Sequence, residues 1–123
     1  MKTLSLLSLL ACTCLATAAQ AAEPAPATDA ACISLSADQQ IVRAGADRNI
    51  LLRNADQHYI VHFKDSCSSA AQTSDLRFVT PERDGQLCGG GVSSLRTRSQ
   101  KCVVREVETI TAQEFTSRAR ARR

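Results

Sequence analysis

Six cysteines carry most of the reactive chemistry in this 123-residue chain: Cys12, Cys14, Cys32, Cys67, Cys88 and Cys102. Thiols can hold a metal, exchange electrons or crosslink the chain, and spacing separates the three. Zinc sites bring ligands in close pairs such as C-x2-C. The last four cysteines stand 35, 21 and 14 residues apart. A thioredoxin-like redox site needs C-x-x-C, which the chain lacks. His58 and His62 are the only imidazoles. On a strand they fall on one face, and with no close ligand pair to join they are expected to be solvated there. No metal and no cofactor is expected. Crosslinking is what remains.

Disulfides need an oxidising compartment, and the N-terminus reads as an address to one. Met1-Lys2 is positive, Thr3 to Ala11 is rich in leucine, and Ala19-Gln20-Ala21 has the small-x-small form that a signal peptidase reads. Ala16-Thr17-Ala18 is a second candidate cleavage site. The apolar run is too short to span a bilayer, so residues 1–21 are expected to be a signal peptide and the mature chain to have no transmembrane span. Leu9-Leu10-Ala11-Cys12 also resembles a lipobox, which keeps open a membrane-anchored lipoprotein acylated at Cys12. Cleavage there would strand Cys14 as an odd thiol. Cleavage after Ala21 leaves 102 residues with Cys32, Cys67, Cys88 and Cys102, an even set that implies two disulfides. Three pairings are open, and the favoured expectation is Cys67–Cys88 with Cys32–Cys102.

Other chemistry is sparse. Gly89-Gly90-Gly91 is followed by neither Lys-Ser/Thr nor a helical pattern, so it is read as a bend or bulge rather than a phosphate cradle. G-x-S-x-G, H-E-x-x-H and S-x-x-K are all missing. With aromatics at 3% and no Trp, a stacking surface for single-stranded nucleic acid has little to be built from. Charge is uneven. Residues 22–95 carry six basic and nine acidic side chains, whereas residues 96–123 carry eight and three. Arg118, Arg120, Arg122 and Arg123 close the chain and are candidates for contact with an anionic surface. Alternatively, they complement the dipole at a solvated helix end.

The elements that must position these side chains read mostly as strands. Hydrophobic residues at 44% and charged residues at 22% exclude bulk disorder, and the length allows one domain. Residues 22–31 form an Ala/Pro linker, 32–115 a disulfide-stapled β domain, and 116–123 a basic tail. Asn49–Arg53 and His58–Phe63 form a hairpin around the four-residue loop Asn54-Ala55-Asp56-Gln57. Tyr59, Val61 and Phe63 should be its buried face. Cys32-Ile33-Ser34-Leu35 opens the folded part, and Ser36 to Ala44 is ambiguous: Ser36-Ala37-Asp38-Gln39 could cap a helical turn, while Gln40-Ile41-Val42 suits a strand. Further strands are expected at Asp75–Thr80, Gln86–Cys88, Val92–Leu95 and Cys102–Val107. The last cannot be oriented by alternation, because Val103 and Val107 fall on one face and Val104 on the other. Thr111-Ala112-Gln113-Glu114 is a capping box, with Ile110 and Phe115 as its hydrophobic staple, so a short helix should start at Ala112. The expected fold is mainly β: a small antiparallel barrel or sandwich with two disulfides and a short C-terminal helix.

Cys32-Ile33, Asp47-Arg48-Asn49-Ile50-Leu51-Leu52, Tyr59, Cys67, Phe78, Leu87-Cys88-x-Gly90 and Cys102-Val103 together resemble a family of small exported bacterial proteins of unknown function. That family has four spaced cysteines with D-R-x-I-L and L-C-x-G-D segments. The resemblance runs from Cys32 to about Phe115 and implies a periplasmic or envelope-attached β domain without a known activity. The family's acidic residue after the glycine is Gly91 here, which removes any ligand role for that acid. The expected function is therefore a non-catalytic binding or structural role in the cell envelope, toward an envelope protein or an anionic surface. Alternatives are a lipoprotein, an enzyme built on scattered carboxylates, or a hydrolase inhibitor that presents the Cys67–Cys88 interval or Gly89 to Ser94 as a rigid loop.

Overall fold

A computed structural model describes residues 32–122. The proposed signal peptide, the Cys12 lipobox, the 22–31 linker and Arg123 lie outside the described residues. The described chain runs β1 (Cys32–Ser34), β2 (Gln39–Val42), β3 (Asn49–Asn54), β4 (Gln57–Phe63), a 3-10 turn (Ser68–Ala71), β5 (Arg77–Val79), β6 (Gln86–Cys88), β7 (Ser94–Arg96), β8 (Lys101–Ile110) and α1 (Ala112–Ala121). Six strands form one antiparallel sheet in the order β2-β3-β4-β8-β7-β5, and β1 and β6 form a separate ribbon. The large sheet curls into a half-barrel. The fold is thus mainly β, and its two edge strands are β2 and β5.

The strand alternation sorts the core. Ile50, Leu52, Tyr59, Val61, Phe63, Leu95, Cys102 and Val104 fill the inner face with Cys67 and Leu87. The outer face is not left to water. Leu51 and Ile60 meet Ile110 and Phe115 there in a second core, closed by Val42 and Ala119. Burying an Ile- or Leu-sized side chain contributes about 2 kcal/mol, so α1 is held mainly by this cluster.

β8 escapes simple alternation for a local reason. His62 pairs with Glu106 while Phe63 pairs with Val104, so Arg105 is an extra residue in the ladder. This bulge flips the parity of everything after it. Cys102, Val104 and Val107 therefore all reach the inner core, and Ile110 reaches the outer one. Gly89 abuts this bulge, since a Cβ there would lie 3.2 Å from the Arg105 carbonyl oxygen and 3.3 Å from Glu106 Cα. The Gly90 and Gly91 amides donate to the carbonyls of Arg105 (2.7 Å) and Val104 (2.8 Å).

Three expectations need correction. The disulfides are Cys32–Cys88 and Cys67–Cys102, not Cys67–Cys88 with Cys32–Cys102. β1 pairs with β6, which puts Cys32 directly opposite Cys88 with Cα atoms 4.1 Å apart. Cys67 and Cys102 both lie in the main core. The hairpin loop is Ala55-Asp56, since Asn54 pairs with Gln57. Asn54 looked like turn chemistry but is buried at 6% exposure. Its side chain donates to Ser34 O (2.8 Å) and accepts from Ser36 N (2.7 Å), tying the β1 segment to β3. Finally, the helix is longer than the short one expected, continuing through Ala121, so residues 116–121 of the expected basic tail are helical.

Candidate functional site

His58 packs against α1 rather than lying on a solvated face, and His62 is half-buried on the same strand. His58 is half-buried, with its ring 5.0 Å from that of Phe115 and tilted by 56°. His62 Nε2 lies 2.8 Å from Glu108 Oε2, a diagonal pair between β4 and β8. Cys32, Cys67, Cys88 and Cys102 are all in disulfides. Among the described residues no group of three or more His, Cys, Asp or Glu is placed to hold a metal ion. Nor is any helix among them long and apolar enough to cross a membrane.

The terminal arginines are not gathered on one surface. Thr111 caps α1 by accepting from the Glu114 amide at 3.0 Å. The Glu114 carboxylate then turns to Arg118, whose Nε donates at 3.0 Å; the capping box is therefore half made. Arg122 reaches back to the start of β3, donating to the Asn49 carbonyl at 3.3 Å and to Asn49 Oδ1. Burial, and then the neighbouring Arg118 charge, lower its pKa below the ordinary arginine value. Arg120 alone of the three described cations has an exposed side chain outside these ties.

Two depressions flank the edge strand β2. The larger, about 650 Å³, runs between β2 and α1. Ile41, Val42, Phe115 and Ala119 supply its apolar lining, and Arg43 and Arg120 its cations. The smaller, about 390 Å³, opens between edge strands β2 and β5, with Ile41, Leu76 and Phe78 below Arg43 and Arg77. Neither is lined by an acidic residue. Arg43 is held in place by donation to the Ala71 carbonyl at 3.2 Å. Together they expose both sides of a strand whose second edge has no neighbour in the sheet. Backbone donors and acceptors, an apolar floor and cations including the anchored Arg43 suit an added strand bearing carboxylates.

Gly89 to Ser94, one of the two candidate inhibitory loops, is knitted into the sheet. Gly89, Ser93 and Ser94 are buried, and Ser93 Oγ accepts from the Cys88 amide at 2.7 Å. The sequence does not reveal the β2 groove, because the groove depends on α1 crossing the sheet's outer face. One signal pointed there: Ile60 stands between His58 and His62, giving β4 apolar residues on both faces. No protein-family model matches the chain, and comparison with curated proteins and with solved structures produced no match.

Proposed function

We propose that this protein is an exported, non-catalytic domain of the cell envelope that binds an extended, acidic segment of a partner along β2. The observation that carries the reading is the edge strand flanked on both sides by depressions that share the anchored Arg43 and have no lining acid. Export is supported by two disulfides in a small domain and by the leader-like composition of residues 1–21. A binding rather than catalytic role is supported by the engagement of the histidines, one against Phe115 and one with Glu108. No acid, base and nucleophile converge in either depression.

The test uses residues 22–123 in oxidised form and two labelled hexapeptides, one alternating Glu and Val, the other Lys and Val. Fluorescence anisotropy should show the acidic peptide binding at least about tenfold tighter, and Arg43→Glu should abolish that preference. Equal affinity for both peptides, or binding unmoved by Arg43→Glu, would overturn the proposal.

A further inference from the structure

A second cationic feature crosses β5, β7 and β8, and its first member, Arg77, also lines the smaller β2 depression. Arg77 is paired with Arg96 in the β5–β7 ladder, and Arg96 with Lys101 in the β7–β8 ladder. Three cations thus stand directly opposite one another on three adjacent strands. Residues paired in this way share a face. It is the outward one, because Phe78, Leu95 and Cys102, one position along each strand, pack into the inner core. All three cations are exposed. None takes part in the ion pairs among the described residues. At a strand spacing of about 4.8 Å the row spans roughly 10 Å.

Like charges directly opposite one another destabilise a sheet, and among the described residues no ion pair offsets these. The adjoining turn adds a fourth cation, Arg98, also exposed. That turn is built to hold its shape. Thr97 Oγ1 accepts from the Gln100 amide at 2.9 Å and lies 2.8 Å from Ser69 Oγ. Residues 96–101 line a shallow depression of about 270 Å³ that contains Arg96, Arg98 and Lys101. Large enough for a single anionic head group, it lies at the edge of the cationic row. Val92, the exposed large hydrophobic among the described residues, belongs to the turn at Gly91, where a Cβ would lie 3.9 Å from Val103 Cγ1. Val103 is two residues along β8 from Lys101 and on the same face.

We infer that Arg77, Arg96, Arg98 and Lys101 form a docking face for the phosphate groups of an anionic lipid surface. This face shares Arg77 with the smaller β2 depression, whereas Arg96, Arg98 and Lys101 line neither β2 depression. The face holds the domain against the membrane by charge, while the larger depression between β2 and α1, which Arg77 does not line, remains free for the partner. Attraction to an anionic membrane is worth about a fivefold gain in partitioning for each basic residue at the surface. It falls steeply with salt, because exposed charges are screened within about 8 Å at physiological ionic strength.

Vesicle co-sedimentation of oxidised residues 22–123 tests this, comparing phosphatidylcholine alone with phosphatidylcholine plus phosphatidylglycerol. Binding should require the anionic lipid and vanish in 0.5 M salt. Arg77→Gln/Arg96→Gln/Lys101→Gln should lower partitioning on the order of a hundredfold. Arg48→Gln/Lys64→Gln/Arg118→Gln, which removes the same charge elsewhere, should lower it no more than about threefold. The ladder variant should melt no lower than the parent, since it relieves like-charge repulsion. Equal losses from the two triple variants would reduce the effect to net charge and overturn the inference. Binding to inorganic phosphate or a soluble polyanion, without binding to anionic vesicles, would overturn the lipid assignment.

Discussion

Asn54 shows how a single polar residue decides where a small domain's pieces meet. It is buried and spends its amide on Ser34 and Ser36, so the β1 segment is fastened to β3 by side chain rather than by ladder. Removing the amide leaves a donor and an acceptor without partners, at about 1–3 kcal/mol each. Asn54→Ala should therefore lower the urea midpoint by the equivalent of about 2 kcal/mol with an unchanged m-value. An unaltered midpoint would show that the tie is dispensable. Arg122 plays a similar part for α1 through Asn49. Arg122→Ala should cost about 1 kcal/mol and should speed amide exchange at the end of α1 before that of β4.

At the scale of elements, α1 is the piece that makes a groove out of an edge strand. Its start is defined by the Thr111 cap and by the Ile110–Phe115 staple, both of which the sequence shows openly. Its position on the sheet depends on Phe115 meeting Leu51 and Ile60. Phe115→Ala should cost about 3–4 kcal/mol and abolish binding of the acidic peptide. Thr111→Ala should cost only about 1 kcal/mol and leave the peptide bound. Equal effects from the two would mean that helix formation, not docking onto the sheet, shapes the groove. Elements were legible wherever local chemistry decided them: the cap, the hairpin strands, the bend after Cys88. They were illegible where partners distant in sequence decided. The Arg105 bulge, which reconciles Val104 with Val107, is set by β4 and by the close approach of Gly89. Asn54 read as a turn residue because its hydrogen-bond partners lie 18 and 20 residues upstream.

For the whole molecule, the two disulfides divide the work. Cys67–Cys102 is in the main core, with Cys67 fully buried and Cys102 5% exposed. Cys32–Cys88 pins the two-stranded ribbon, and Cys32 is half-buried beside Arg83, whose guanidinium lies 3.1 Å from its sulfur. Each crosslink is worth about 2–4 kcal/mol through the unfolded chain. Limited reduction should open Cys32–Cys88 first, because a reductant reaches the half-buried sulfur before the enclosed pair. Alkylation after brief reduction should accordingly label Cys32 and Cys88 well ahead of Cys67 and Cys102. The number of disulfides followed from an even cysteine count, but their pairing did not, because pairing depends on β1 joining β6 rather than the large sheet.

Both binding surfaces presuppose a polypeptide that has left the reducing cytoplasm and been oxidised. Non-reducing tryptic mapping, joined to the intact mass of the protein recovered from the envelope fraction, tests that premise most directly. The result expected is a chain lacking residues 1–21, with peptides joined as Cys32–Cys88 and Cys67–Cys102. A full-length, folded chain in the cytosol with every thiol open to alkylation would contradict it.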